Sequence, residues 1–312
     1  MYKRQAVDGY LGAKATGKYS VWYGCGVNGQ QRNHVAKPFI YIEGINLTPT
    51  NEYKSNVPIF DRAMYLRLMR DGFDIVQLDF NNNPEWIQRN AELLITLIDQ
   101  LQAEMNANNS NHEIVIMGES MGAVLTRYAL TKMEHEGANH NVRLFLSLDG
   151  PHNGANVPYG LQYFVDDLTA NGLGGIFAGV NALSGITDTF VSLFGGNSGT
   201  SGLQAAFQLM QGSTSPEATI YRAQFVVDML SKGNYPDNCR KIAVANGSNN
   251  GVGISEEGAN HQILRLTNIF DGTDRRAHAA PGLEINFLGS VSYTHLRAHE
   301  TKANLVCRLL LE

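Results

Sequence analysis

The sequence predicts an α/β fold: a mostly parallel central sheet with helices on both faces. Three observations carry that prediction. Short apolar runs alternate with longer segments of helical spacing between residues 39 and 149, in the order strand, helix, strand, helix, strand, helix, strand. The runs themselves are short and largely apolar, as strands buried on both faces tend to be. With 312 residues, 43 % of them hydrophobic and 17 % charged, the chain can also bury a sizeable core.

Each element has its own justification. Residues 6–38 are rich in Gly, Tyr and polar groups and read as irregular or edge-strand structure. FIYIE (39–43), closed by Gly44, reads as a buried strand. Residues 62–70 have helical spacing, with Ala63, Leu66, Leu68 and Met69 apolar, and Asp71-Gly72 ends them. DIVQLD (74–79) is the next strand. The clearest helix follows, with Asn83 as N-cap, Pro84 at the first helical position and Glu85 complementing the dipole. Its stripe is Ile87, Ala91, Leu94, Ile98, Leu101 and Met105. EIVIM (113–117) is a third strand, residues 121–136 a helix apolar on several sides and closed by Gly137, and VRLFLSL (142–148) a fourth strand. KIAVAN (241–246) is another strand candidate, with weaker ones at 262–268 and 283–288.

Composition excludes several classes. The net charge is −5 and no basic block occurs, which argues against nucleic acid as a partner. No apolar run approaches the roughly 18 residues of a membrane-spanning helix. Three cysteines are too few for a disulfide scaffold or a four-thiolate zinc site. Cys25 and Cys239 could pair if the protein is exported, and spacing does not decide it. Both ends resemble translated sequencing-adapter sequence: Met1-Tyr2-Lys3-Arg4-Gln5 at the start and the frame SYTHLRAHET…LVCRLLLE at the end. The expected division is therefore 1–5 foreign, 6–289 native and 290–312 foreign. The alternative for the end is a native amphipathic helix with His295 and His299 one turn apart.

Gly118-Glu119-Ser120-Met121-Gly122 matches G-x-S-x-G directly after a strand and directly before a buried helix. That context is what a nucleophile elbow requires: a strained turn lifts the serine hydroxyl, and flanking glycines let strand and helix approach. An activated serine also needs a base, a group orienting that base, and donors for the oxyanion. The backbone N–H of Met121 is the first expected donor. The second is expected from the loop after FIYIE, at Gly44, Ile45 or Asn46.

With these motifs the chain resembles the lipase/esterase branch of the α/β-hydrolase superfamily. It is close to the inositol-deacylase-like and lecithin:cholesterol-acyltransferase-like lipases, and most similar to an exported bacterial group. The resemblance rests on KPFIYIEG (37–44), IQRNAELL (87–94), GESMGAVLTRYAL (118–130), LFLSLDGPHNGANVP (144–158) and ANGSNNG (245–251). It implies an α/β-hydrolase fold, truncated at its C-terminus, and hydrolysis of a small-molecule or lipid ester through an acyl-enzyme on Ser120. It implies no metal and no cofactor, and a secreted or cell-envelope location. The alternatives are an acyltransferase using the same serine, or a non-catalytic binding protein on a hydrolase scaffold.

The acid and the base are read from chain order, which in this fold is serine, acid, histidine. Asp149 ends the strand after the nucleophile helix and is the candidate acid; equally, it could cap its own loop. Asp271 and Asp274 are the second option. His152 belongs to the Pro-His turn and reads as structural. The resemblance places the base near the true C-terminus, past residue 289, so the native base is expected to be missing. His278 is the candidate that chain order permits within these residues, with His261 also downstream. The Gly-rich apolar stretch 157–215 reads as a lid or acyl-binding cap, with extra core packing as the alternative.

Overall fold

The computed structural model describes residues 2–26, 29–45, 62–155, 204–211 and 216–246, together with the strand segments 262–267, 274–278, 283–286 and 305–308. The strands are β1 (Tyr2–Gln5), β2 (Thr16–Trp22), β3 (Pro38–Ile42), β4 (Asp74–Phe80), β5 (Ile114–Glu119), β6 (Val142–Leu148) and β7 (Arg240–Asn246), then β8 (Gln262–Thr267), β9 (Asp274–His278), β10 (Leu283–Asn286) and β11 (Leu305–Arg308). The helices are α1 (Arg62–Arg70), α2 (Ile87–Ala107), α3 (Met121–His135), α4 (Gln204–Leu209) and α5 (Pro216–Ser231).

The main sheet has the order β1-β2-β4-β3-β5-β6-β7-β11. Strands β4, β3, β5, β6 and β7 run parallel. β2 joins them antiparallel through β4, with Gly17 opposite Phe80 and Trp22 opposite Ile75. β1 and β11 form antiparallel edges. A second sheet has the order β10-β8-β9. The expected parallel sheet is therefore present, and its strands are buried as a two-sided sheet demands: every residue of β3 is buried. Helices α2 and α3 cover one face, α1 the other.

Helix α2 seats the whole predicted stripe: Ile87, Ala91, Leu94, Ile98, Leu101 and Met105 are each at most 1 % exposed. Fully burying one such side chain contributes roughly 1.5–3 kcal/mol, so this face dominates the packing of the helix. Its start differs from the prediction. The helix begins at Ile87, with Trp86 at the cap position and no side-chain cap bond. The Ile87 N–H instead donates to Gln208 Oε1 at 2.9 Å, and Asn83 is used elsewhere. Helix α1 also turns differently: Tyr65 is buried at its centre while Leu66 lies out in solvent.

β1 and β11 lie in the end segments read as foreign, and other elements lie where the sequence reading saw none or only edges. β2 occupies part of the stretch read as irregular or edge-strand structure, and its buried residues are Gly17, Tyr19 and Ser20. β9 and α5 were not anticipated. In α5, Ala218, Phe225 and Met229 turn inward at helical spacing. Residues 205–210, within the stretch read as a cap, are core: Ala205 and Gln208 are fully buried, and Ala205 N–H donates to Pro84 O at 3.0 Å. The rest of the expected cap, 156–203, lies outside the described residues. Cys25 and Cys239 are both free thiols, one beside the end of α1 and the other just before β7. Burial pushes the Cys239 thiol up to about 11.

Candidate active site

Strand β5 runs up the centre of the parallel sheet and ends at Glu119. Ser120 follows at φ 50°, ψ −118°, a left-handed conformation that costs a side-chain-bearing residue on the order of 1–3 kcal/mol. Helix α3 begins at the next residue. The turn is pinned from both sides. Ser120 N–H donates to Leu148 O of β6 at 2.8 Å, and Ser120 O accepts from Ala123 N–H at 3.1 Å.

Both flanking glycines are required by contact. A Cβ on Gly118 would stand 2.6 Å from the backbone of Ala123, and one on Gly122 would stand 2.5 Å from the carbonyl oxygens of Ile42 and Glu43. The start of α3 is thus pressed onto the end of β3. That approach brings the loop after β3 to the serine. A Cβ on Gly44 would lie 3.1 Å from Ser120 Cβ and 3.8 Å from Ser120 Oγ. Met121, fully buried, opens α3, and the first N–H groups of a helix have no intrahelical acceptor.

Two carboxylates flank the turn. Glu119 accepts a hydrogen bond from the Tyr41 hydroxyl on the α1 side of the sheet. Burial first, and then this carboxylate, raises the Tyr41 and Tyr65 hydroxyls well above the usual phenol range, so both stay protonated. Asp149 follows β6, one residue after the carbonyl that holds Ser120. It is exposed, has φ 48°, and its N–H donates to Val244 O of β7 at 2.7 Å. It therefore stands on the C-terminal edge of the sheet, the same edge as the serine.

His152 is enclosed. Its Nε2 lies 2.8 Å from Ser147 Oγ, its ring packs edge-on to Phe145 and Tyr235, and its carbonyl accepts from Arg127 at 3.2 Å. Burial, with Arg127 beside it, lowers the imidazole to about 4. It is a neutral packing residue, as its place in the Pro-His turn suggested.

The remaining expectations meet the structure unequally. Gly44 and Ile45 are described, and Gly44 lies beside the serine; Asn46, His261 and Asp271 lie outside the described residues. Asp274 and His278 occupy opposite ends of β9, in the smaller sheet, where only the backbone is described. Asn83 was missed as a site residue. It is 6 % exposed and its Nδ2 donates to Gly44 O at 3.1 Å and to Glu43 Oε1 at 3.3 Å. An Asn just before Pro reads as a cap, and only the tertiary fold reveals the loop it faces. Among the described residues no three His, Cys, Asp or Glu side chains gather as a metal site would require, and no helix is long and apolar enough to cross a membrane.

Residues 66–218 match the family model described as the PGAP1-like alpha/beta domain. That stretch is just under half of the chain, and over it the chain is similar to a PGAP1-like α/β domain. The match runs from α1 through the turn at Ser120 to the start of α5, so the strand–turn–helix around Ser120 lies within it. The sheet order and helix placement of the chain are those of an α/β hydrolase. Similar solved structures include a metagenomic carboxyl esterase (14% identity, 71% of this chain and 51% of that one, TM-score 0.38). Another is the esterase Est22 (15% identity, 48% and 44%, TM-score 0.33). A third is a soluble variant of monoglyceride lipase from Saccharomyces cerevisiae (12% identity, 56% and 51%, TM-score 0.31). The chain spans about half the length of these structures. No curated protein sequence matches it.

Proposed function

We propose that this PGAP1-like domain is a serine hydrolase that cleaves carboxylic esters through an acyl-enzyme. The observation that carries the reading is Ser120: a side-chain-bearing residue held at positive φ between a central strand and a helix, with the Gly44 backbone against its Cβ. Such strain persists only where surrounding contacts over-determine it, and here glycines at 118 and 122 supply that close packing.

In this reading Ser120 Oγ attacks the acyl carbonyl and its proton passes to a histidine. The N–H groups of Met121 and Ile45 receive the oxyanion. The carbonyl re-forms, the C–O bond to the alcohol breaks, and the histidine returns the proton to the departing alcohol. Water then attacks the acyl-enzyme, giving its proton to the same base, and the carboxylic acid leaves as Ser120 is re-protonated. Asp149, on the same sheet edge, orients the histidine, and His278 is the base available in chain order.

The test is fluorophosphonate labelling of the full chain, read by intact mass with circular dichroism as the folding control. With the native base expected past residue 289, chain order leaves His278 to take its place, so labelling of the wild type should vanish in both Ser120→Ala and His278→Ala. Labelling that survives in His278→Ala reassigns the base, and a folded wild type that stays unlabelled overturns the reading for this chain.

A further inference from the structure

The loop that meets the serine is held by residues far from it in sequence. Gly44 lies against Ser120, yet its carbonyl is turned away to accept from Asn83 Nδ2 at 3.1 Å. Asn83 is itself locked from behind. Asn90 of α2, 1 % exposed, spends its Nδ2 on the carbonyls of Asn82 and Asn83 at 3.1 and 3.0 Å. Both partners are therefore fixed by the core of the molecule rather than by the loop.

The geometry has a direct backbone consequence. The Gly44–Ile45 peptide is trans, so its C=O and N–H point in opposite directions. Whatever holds the Gly44 oxygen also aims the Ile45 hydrogen. Glycine at 44 leaves that peptide otherwise free to rotate, because no side chain restricts it. The second bond from Asn83 Nδ2, to Glu43 Oε1 at 3.3 Å, fixes the residue before it as well.

We propose that Asn83, seated by Asn90, is the positioning residue of the oxyanion site, holding the Gly44–Ile45 peptide so that the Ile45 N–H faces the Ser120 hydroxyl. This rests on the serine-hydrolase reading above. Asn83 touches no reacting atom; it acts through the Gly44 carbonyl. Without it the peptide can flip and present a carbonyl oxygen where the reaction needs a donor. Removing an oxyanion donor costs about 10²–10³ in rate, and a residue acting one peptide away should cost somewhat less.

Labelling kinetics separate the two constants that matter: the rate constant for phosphorus–oxygen bond formation at Ser120, and the dissociation constant of the initial encounter. In the full chain, Asn83→Ala should lower the bond-forming constant about 10- to 100-fold and leave the encounter constant within about threefold. Asn83→Asp keeps the size but replaces the donor with a carboxylate facing Glu43 and the Gly44 carbonyl, and should lose at least as much. Wild-type bond formation in either folded variant overturns this role alone. So does an effect confined to the encounter constant. A loss that only tracks the folded fraction, or failure of both variants to fold, makes Asn83 merely structural and also overturns it. An unlabelled wild type takes down the hydrolase reading and this role together.

Discussion

Ser120 stores backbone strain that has a measurable counterpart. At φ 50° glycine is tolerated and alanine is not, so Ser120→Gly should be more stable than Ser120→Ala by about 1 kcal/mol in urea unfolding, although both are inert. Gly122 admits no side chain at all. Its Cβ would overlap the carbonyls at the end of β3, so Gly122→Ala should cost about 1–3 kcal/mol or more and abolish labelling, because relief moves α3 away from the Gly44 loop. His152 makes a prediction in pH. Its imidazole titrates near 4 when folded and near the ordinary 6.5 when unfolded. Between those values the unfolded chain binds more protons, so stability rises with pH. The contribution is complete above about pH 6.5 and is lost as pH falls towards 4, roughly 3 kcal/mol in all. Denaturant titrations from pH 7 to 4 should show this slope and His152→Gln should remove it; an imidazole resonance titrating near 6.5 in the folded protein would sink the claim.

At the scale of elements, α2 shows both the reach and the limit of reading a sequence. Its stripe was legible because burial follows periodicity, and one face of a long helix must find the core. Its start was not, because the cap comes from residue 208. Gln208 accepts from Ile87 N–H and donates to Gln88 Oε1 at 2.6 Å, and Gln88 in turn donates to Asp228 Oδ2 at 3.3 Å. Nothing local announces such a cap, whereas Asn-Pro-Glu announces a false one. Gln208→Ala leaves a buried N–H and a buried amide oxygen unpaired, and should cost about 1–3 kcal/mol in thermal or urea unfolding while leaving Ser120 labelling of the folded fraction unchanged. The same distinction separates the parts of the site. The strained turn at Ser120 was legible since its glycines and serine are contiguous. The loop clamp was not, since residues 44, 83 and 90 meet only when β3, β4 and α2 have docked. Helix α5 escaped notice because the segment before it, Gly-rich and apolar, drew attention to a cap instead.

Over the whole molecule, the sheet is tied at one end by a buried carboxylate and at the other by a backbone bridge. Asp74, fully buried at the start of β4, accepts from Gly24, Ala36 and Lys37 N–H at 2.7–2.8 Å and pairs with Arg32 at 2.8 Å. It gathers the segment between β2 and β3 onto one carboxylate. Asp74→Ala should cost about 3–5 kcal/mol, since it strands Arg32 and three N–H groups, and should raise amide exchange over residues 24–37 before the rest of the sheet. At the opposite edge, Ala155 N–H donates to Leu209 O at 2.6 Å and Gln211 N–H returns to Ala155 O at 2.8 Å. The chain therefore departs from the sheet and comes back to the same spot. The bridge at Ala155 thus works like a socket: it seats residues 209–211 beside the end of the Pro-His turn, on the sheet edge that carries Ser120.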